Sequence, residues 1–191
     1  MTTEKAVQRD AQATRGRLIA AARQIFSEHG YERTTVRQIA AVAGVNPALI
    51  NRYFGGKEQL FAEAVSIDLE LPDLADVERA EIGGALAGHF FRRWEGDEKD
   101  DLLRVLIRTA ATNQEAAARI RTIFSGQVLA MVEAVAGPER ARERAALIAT
   151  QILGLAYARY VLGLSGEDVS RETIQVMVGE TLGRYLFGAL P

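Results

Sequence analysis

The sequence predicts an all-α protein, and three observations carry that prediction. Apolar residues recur at three- and four-residue spacing along most of the chain. No segment shows the two-residue alternation of a half-buried strand. Several periodic stretches begin on Thr, Asn or Pro and stop on Gly, as capped helices do. With 191 residues, 48% of them hydrophobic, the chain can hold a small first domain and a larger second one.

Taken in order, residues 1–13 are polar and are expected to form a flexible arm. Thr14–His29 reads as a helix with Leu18, Ala21, Ala22, Ile25 and Phe26 on one face, stopped by Gly30. Thr35 and Gln38 then fit a capping box, in which hydroxyl and amide satisfy each other's orphan backbone N–H groups. Val36, Ile39, Ala40 and Ala43 follow as a buried stripe, and Gly44 supplies the permissive backbone where this helix stops. Asn46 is the next N-cap, with Pro47 at the first helical position, where no N–H is missed. Val45 and Ile50 have the spacing of a hydrophobic staple, and Ile50 and Phe54 face inward. Pro47, Ala48, Asn51, Arg52 and Gly55 share the opposite face. Two short helices joined by a Gly-containing turn, the second with a small and polar outer face, fit the major groove of duplex DNA. Such pairs also occur in proteins that never touch DNA, so the spacing alone leaves both readings open.

Lys57–Leu69 is expected as a fourth helix, ended or interrupted near Pro72. Asp76–Trp94 follows, then a charged loop at Glu95–Asp101 and a helix at Leu102–Ala111. A long helix runs from Asn113 through Ala136, and Gly137-Pro138 breaks the chain. The next helix reaches about Leu164, Ser165–Glu167 forms a turn, and Arg171–Leu190 closes the fold. The last two helices carry apolar residues around much of their circumference and need cover on more than one side. They are core helices of a monomer or half of a four-helix interface between two copies.

Composition narrows the classes. There is no Cys, hence no disulfide frame and no thiolate metal site. No stretch approaches the roughly 18 apolar residues that span a bilayer. The polar first residues show no secretory signal, and a cytoplasmic protein with no membrane partner is expected. The net charge of −2 hides an asymmetry, because residues 1–57 hold nine Lys/Arg against four Asp/Glu while the remainder is acidic. A basic first third suits phosphate. Enzyme signatures are missing: the two histidines, His29 and His89, form no zinc or nucleophile motif, and Gly83-Gly84 lacks the setting of a phosphate loop. No catalytic residue, metal or cofactor is expected.

Residues 14–65 resemble the TetR (tetracycline repressor) family of transcriptional regulators. The resemblance rests on Phe26 to Tyr31 (F-x-x-x-G-Y), Thr34 to Ala40 (TTVRQIA), Ala43 to Val45 (AGV) and Tyr53 to Phe61 (YFGGKEQLF). It implies an N-terminal three-helix helix-turn-helix DNA-binding domain at 14–70 and a helical ligand-binding and dimerisation bundle at 71–191. It also implies a double-stranded DNA operator of pseudo-palindromic form, a homodimer through the last two helices, and a small-molecule effector. Arg37 matches a family position that reaches a base, although it can equally be a phosphate contact or a solvated arginine. Thr35, Tyr53 and Lys57 match phosphate-contacting positions. Asn46, Pro47, Ala48, Asn51 and Arg52 complete the DNA-facing set, with Asn51 suited to adenine and Arg52 to guanine or phosphate. Asn51 and Arg52 stand where Tyr and His are frequent, and Gly55-Gly56 replaces a more basic pair, so operator preference does not carry over. Phe90, Trp94, Arg108, Phe124, Met131 and Tyr157 are the candidate effector contacts, and the same aromatic and Met residues also suit a plain core. The expected function is a repressor released from its operator by the effector. The alternative is a helical small-molecule-binding or protein-interaction module with an inactive DNA head.

Overall fold

The computed structural model describes residues 2–95, 101–164 and 169–191, with side chains from Gln8 onward apart from that of Asp101. Residues 96–100 of the expected charged loop and the expected turn at Ser165–Glu167 lie outside the described residues. Among the described residues there is no strand. The helices are α1 (Thr2–Arg33), α2 (Val36–Ala43), α3 (Ala48–Phe54), α4 (Lys57–Ala64), α5 (Ile82–Glu95), α6 (Asp101–Ala110), α7 (Gln114–Ile123), α8 (Leu129–Ala136), α9 (Ala141–Ala156) and α10 (Arg171–Phe187). Two π-helical turns, Phe124–Val128 and Tyr157–Val161, continue α7 into α8 and extend α9. No described helix is long and apolar enough to cross a membrane.

The chain divides into two compact units: the residues up to Ile67 with Asp101–Ile120, and Asp68–Asp100 with Arg121–Pro191. In the first, α1 packs against α2, α4 and α6. Leu18, Phe26, Ile39, Ile50, Leu60, Phe61 and Leu106 are completely buried there, each worth roughly 1.5–3 kcal/mol of burial. Phe26 meets Phe61 edge to face with centroids 4.9 Å apart. Gly30 takes φ 74 and kinks the end of α1, as its place after the periodic stretch requires. Thr34, 1% exposed, fixes that kink by donating its hydroxyl to the carbonyl of Gly30 at 2.7 Å. Arg23 caps the far end of α4, donating to the carbonyls of Ala64 at 2.9 Å and Ser66 at 3.1 Å.

The core of the second unit gathers Leu74, Ile82, Leu86, Met131, Val132, Ile148, Val178, Leu182 and Leu186. α5 and α10 cross at glycines: a Cβ on Gly83 would lie 2.1 Å from the carbonyl oxygen of Gly179. At the other end of α5, Arg159 and Tyr160 each reach one oxygen of Glu95 at 2.8 Å, and Arg171 lies 3.4 Å from the other. Burial pushes the Glu95 carboxyl up, but the hydrogen bonds from Arg159 and Tyr160 and the two guanidinium charges outweigh it and hold it below the ordinary carboxylate range. A carboxylate depressed in the folded state stabilises above its unfolded pKa of about 4.3 and loses that contribution as pH falls through the folded value. The gap in melting temperature between the protein and Glu95→Gln is therefore expected to be constant at neutral pH and to shrink below about pH 4. A gap that holds down to pH 3 would remove the ion cluster from the account.

Several helices differ from the sequence expectation. The expected arm at 1–13 is helical from Thr2, because TTEKAVQRDAQAT contains no Gly or Pro to stop a helix entering from Thr14. The helix expected over Lys57–Leu69 ends at Ala64. Beyond it the Asp68 and Asp73 side chains accept from the backbone N–H of Glu70 (2.9 Å) and Ala75 (3.1 Å), giving the backbone an alternative to the helix. Pro72 then disfavours helical geometry at Leu71. The helix expected from Asp76 starts only at Ile82, after short turns closed by Val77 N–H to Leu74 and Glu81 N–H to Glu78. After the break at Gly137-Pro138, α9 starts at Ala141, preceded by Arg140 at φ 54.

Candidate nucleic-acid interface

The turn between α2 and α3 is built by its caps. Thr35 Oγ1 accepts the backbone N–H of Gln38 at 3.3 Å, and Gln38 Oε1 accepts the Thr35 N–H at 2.8 Å, which completes the capping box. Gly44 sits in the left-handed region (φ 65, ψ 40), and the N–H of Val45 reaches back to Ala40 at 3.0 Å. Regular helix resumes at Ala48, yet Pro47 already has helical angles (φ −53, ψ −29). Asn46 Oδ1 accepts the Ala48 N–H at 2.9 Å, so Asn46 is the physical N-cap. Gly55 (φ 84) ends α3 by donating to Asn51, and Gly56 (φ 152) leads into α4.

These caps set which face of α3 is free. Ile50 is 0% and Phe54 7% exposed, while Asn46, Pro47, Ala48, Asn51 and Arg52 are all exposed. Thr35 and Arg37 lie exposed at the start of α2, and Tyr53 and Lys57 are half-buried. The nine residues thus fall on the α2–turn–α3 segment and the first residue of α4. The face has a small, polar centre with cationic and amide tips, the composition that hydrogen-bonds base edges and phosphates.

Besides the capping Asn46, two of these residues already have partners. The Thr35 hydroxyl donates its one hydrogen to Gln38 Oε1 at 2.8 Å, so it can give that hydrogen to a phosphate only by releasing Gln38 Oε1, a change that leaves both backbone bonds of the capping box in place. The Lys57 ammonium lies 4.2 Å from the centroid of the Tyr31 ring, a cation–π arrangement. Burial lowers the Lys57 pKa below that of a free lysine, with Glu32 and Glu58 acting in the opposite sense. Burial, then Glu58 and Glu32, raise that of Tyr31, while a hydrogen bond with Asn113 acts against them. Tyr31 also packs 4.8 Å from Phe61. Sequence reasoning placed Tyr31 in the motif and gave it no task, since nothing local links position 31 to 57 and 113.

The candidate effector contacts have different settings. Phe90 and Trp94 are buried and share an aromatic cluster in which Trp94 stacks on Tyr160 at 4.6 Å and 11°. Met131 belongs to the core of the second unit with Phe124 packed against it, whereas Tyr157 is 38% exposed. Arg108 is exposed on α6, in the other compact unit.

A capped helix pair with one exposed polar face, joined to a second all-helical unit, defines the class of helix-turn-helix regulators. Residues 18–64 match the model of bacterial regulatory proteins of the tetR family, and residues 80–186 match the tetracyclin repressor-like C-terminal domain. The chain belongs to the TetR family of transcriptional regulators. It is 38% identical over 74 residues to the HTH-type transcriptional regulator HbdR of Aromatoleum sp. (strain CIB), covering 39% of this chain and 30% of that protein. It is 39% identical over 67 residues to an HTH-type transcriptional repressor of Streptomyces coelicolor, covering 35% and 34% of the two chains. The chain thus matches about a third of the length of these curated relatives. Among solved structures, a transcriptional regulator from Streptomyces coelicolor A3(2) superposes with a TM-score of 0.69 at 25% identity, over 91% of this chain and 98% of that one. One from Rhodococcus sp. Rha1 gives 0.66 at 22% identity, over 93% and 99%.

Proposed function

We propose that the protein is a cytoplasmic, dimeric, ligand-responsive repressor that places α3 in the major groove of a pseudo-palindromic operator. The observation that carries this reading is the division of α3 into a buried edge, Ile50 and Phe54, and an exposed face bearing Ala48, Asn51 and Arg52. Arg37 and Arg52 are assigned to base or phosphate contacts, and Tyr53 and Lys57 to phosphates. The domain division at 14–70 and 71–191 accompanies this assignment. The effector enters the second unit and favours a conformation that does not fit DNA, which requires unequal affinity for the two states.

Exposed apolar side chains support pairing through the last helices. Val176 and Met177 on α10 are 59% and 57% exposed, and Leu162 beyond α9 is 55%. Two-fold pairing would cover them and would set the two α3 helices a fixed distance apart. The double variant Val176→Glu/Met177→Glu is expected to sediment as a monomer at concentrations where the unaltered protein is a dimer. A variant dimer as stable as the original would relocate the interface.

Selection of bound sequences from random duplex DNA tests the whole reading, because it returns the operator and its half-site spacing together. An inverted repeat with half-sites one helical turn or more apart is expected, bound with a steep salt dependence. Failure to enrich any sequence at low salt would favour a small-molecule-binding or protein-interaction module with an inactive DNA head.

A further inference from the structure

A crevice of about 450 Å³ opens in the second unit, between the irregular segment after α4 and the face formed by the first π-helical turn and α8. The volume suits a small organic ligand. Its apolar wall includes Leu71, Leu74 and Met131, and its polar groups are the Gln127 amide and the carboxylates of Asp68 and Asp73. Among the described residues no Lys, Arg or His lines it. The Arg93 guanidinium on α5 is paired with Glu70 at 2.9 Å and donates to the Asp68 carbonyl oxygen at 2.9 Å. Each lining carboxylate spends one oxygen on a backbone N–H, of Glu70 and of Ala75, and a carboxylate accepts several hydrogen bonds.

We propose that this crevice binds a small amphiphilic cation, with the apolar portion against Leu71, Leu74 and Met131 and the cationic head between Asp68 and Asp73. Two carboxylates without a lining cation repel an anion and attract a positive head, and the apolar wall takes up an attached hydrocarbon group. The acidic balance of the chain after Lys57 favours the encounter. The inference deepens the proposed function, resting on its reading of the second unit as the effector-binding one. The crevice also adjoins a braced stretch of backbone at Leu69. Gln127 Oε1 accepts the Leu69 N–H at 2.7 Å, and His89 Nε2 donates to the Leu69 carbonyl at 2.9 Å. The segment leaving α4 is thereby pinned by α5 and by the π-helical turn, and one of those pins lines the site.

Titration calorimetry on the full chain, without DNA, tests the site with three probes that share a tail and differ in head. They are 4-phenylbutyl-trimethylammonium, 4-phenylbutanol and 4-phenylbutyrate. The cation is expected to bind at one site per chain, at least tenfold more tightly than the carboxylate. Asp68→Asn/Asp73→Asn keeps the oxygen that closes each turn, and is expected to weaken the cation at least tenfold while leaving the alcohol unchanged. Ala134→Trp, an exposed lining position, fills the crevice and is expected to abolish binding of the cation. Melting temperatures of both variants within a few degrees of the original establish that they fold. Equal affinity for the three heads, no binding of any of them, or cation binding unaffected by either variant would overturn the proposal. Because no DNA is present, these outcomes are independent of whether the protein binds an operator.

Discussion

Gly83→Ala is expected to disrupt the second unit severely, while Gly84→Ala, one residue on, leaves it unharmed or slightly firmer. The contrast follows from what each added methyl would meet. At Gly83 it would lie 2.1 Å from the Gly179 carbonyl oxygen and 2.7 Å from the Gly183 backbone nitrogen. Both are backbone atoms of α10, so no side chain can rotate aside and the two helices must separate. Overpacking of a core costs about 1–3 kcal/mol and occasionally more, and an obstruction made of backbone belongs at or beyond the top of that range. At Gly84 the methyl meets nothing within 4 Å, and replacing a helical glycine gains roughly 0.5–1 kcal/mol in backbone entropy. Thermal unfolding followed by circular dichroism should place the two variants on opposite sides of the original. Each 1 kcal/mol is worth about 4–8 °C in a unit of this size. Similar melting temperatures for the two variants would show that α5 and α10 do not cross at this point.

That crossing illustrates what could and could not be read in advance. The caps of α2 and α3 were legible because capping is local: Thr35 and Gln38, or Asn46 and Ala48, lie within one turn of each other. The inward edge of α3 was legible for the same reason, through the four-residue spacing of Ile50 and Phe54. Gly83-Gly84 was instead weighed only as a phosphate loop and set aside, because its partners stand almost a hundred residues away in α10. The early end of α4 was hidden by an apolar pattern that continues through Val65, Ile67 and Leu69. The turns at Asp68 and Asp73 win there by side-chain bonds that periodicity does not record. The two π-helical turns left no mark either, since one extra residue in a turn barely alters the spacing of apolar positions. Of the interface, the exposed residues were readable and their internal partners were not. The hold of Gln38 on the Thr35 hydroxyl and the Tyr31 ring beneath Lys57 both depend on three-dimensional placement.

The placement of Lys57 leads to the second large effect, a difference in kind between two cations on the same face. If Arg52 reads a base and not a phosphate, Arg52→Ala is expected to weaken the preferred operator by about 1–3 kcal/mol and to flatten discrimination at one base position. Lys57→Ala is expected to lower affinity for every duplex alike and to reduce the slope of log affinity against log salt by about one, as loss of one phosphate contact does. Tyr31 should matter to the second effect and not the first. Its ring holds the Lys57 ammonium at 4.2 Å without neutralising it, so Tyr31→Leu keeps the charge and loses the placement. Affinity should then fall on all sequences while base preference stays. Since burial lowers the Lys57 pKa, its charge is lost at a lower pH than that of a free lysine as pH rises. The general component of binding is accordingly expected to fade first on alkaline titration, and Lys57→Arg should remove that fading. Loss of sequence discrimination in Lys57→Ala, or uniform loss across operator variants in Arg52→Ala, would reverse the assignment of the two side chains.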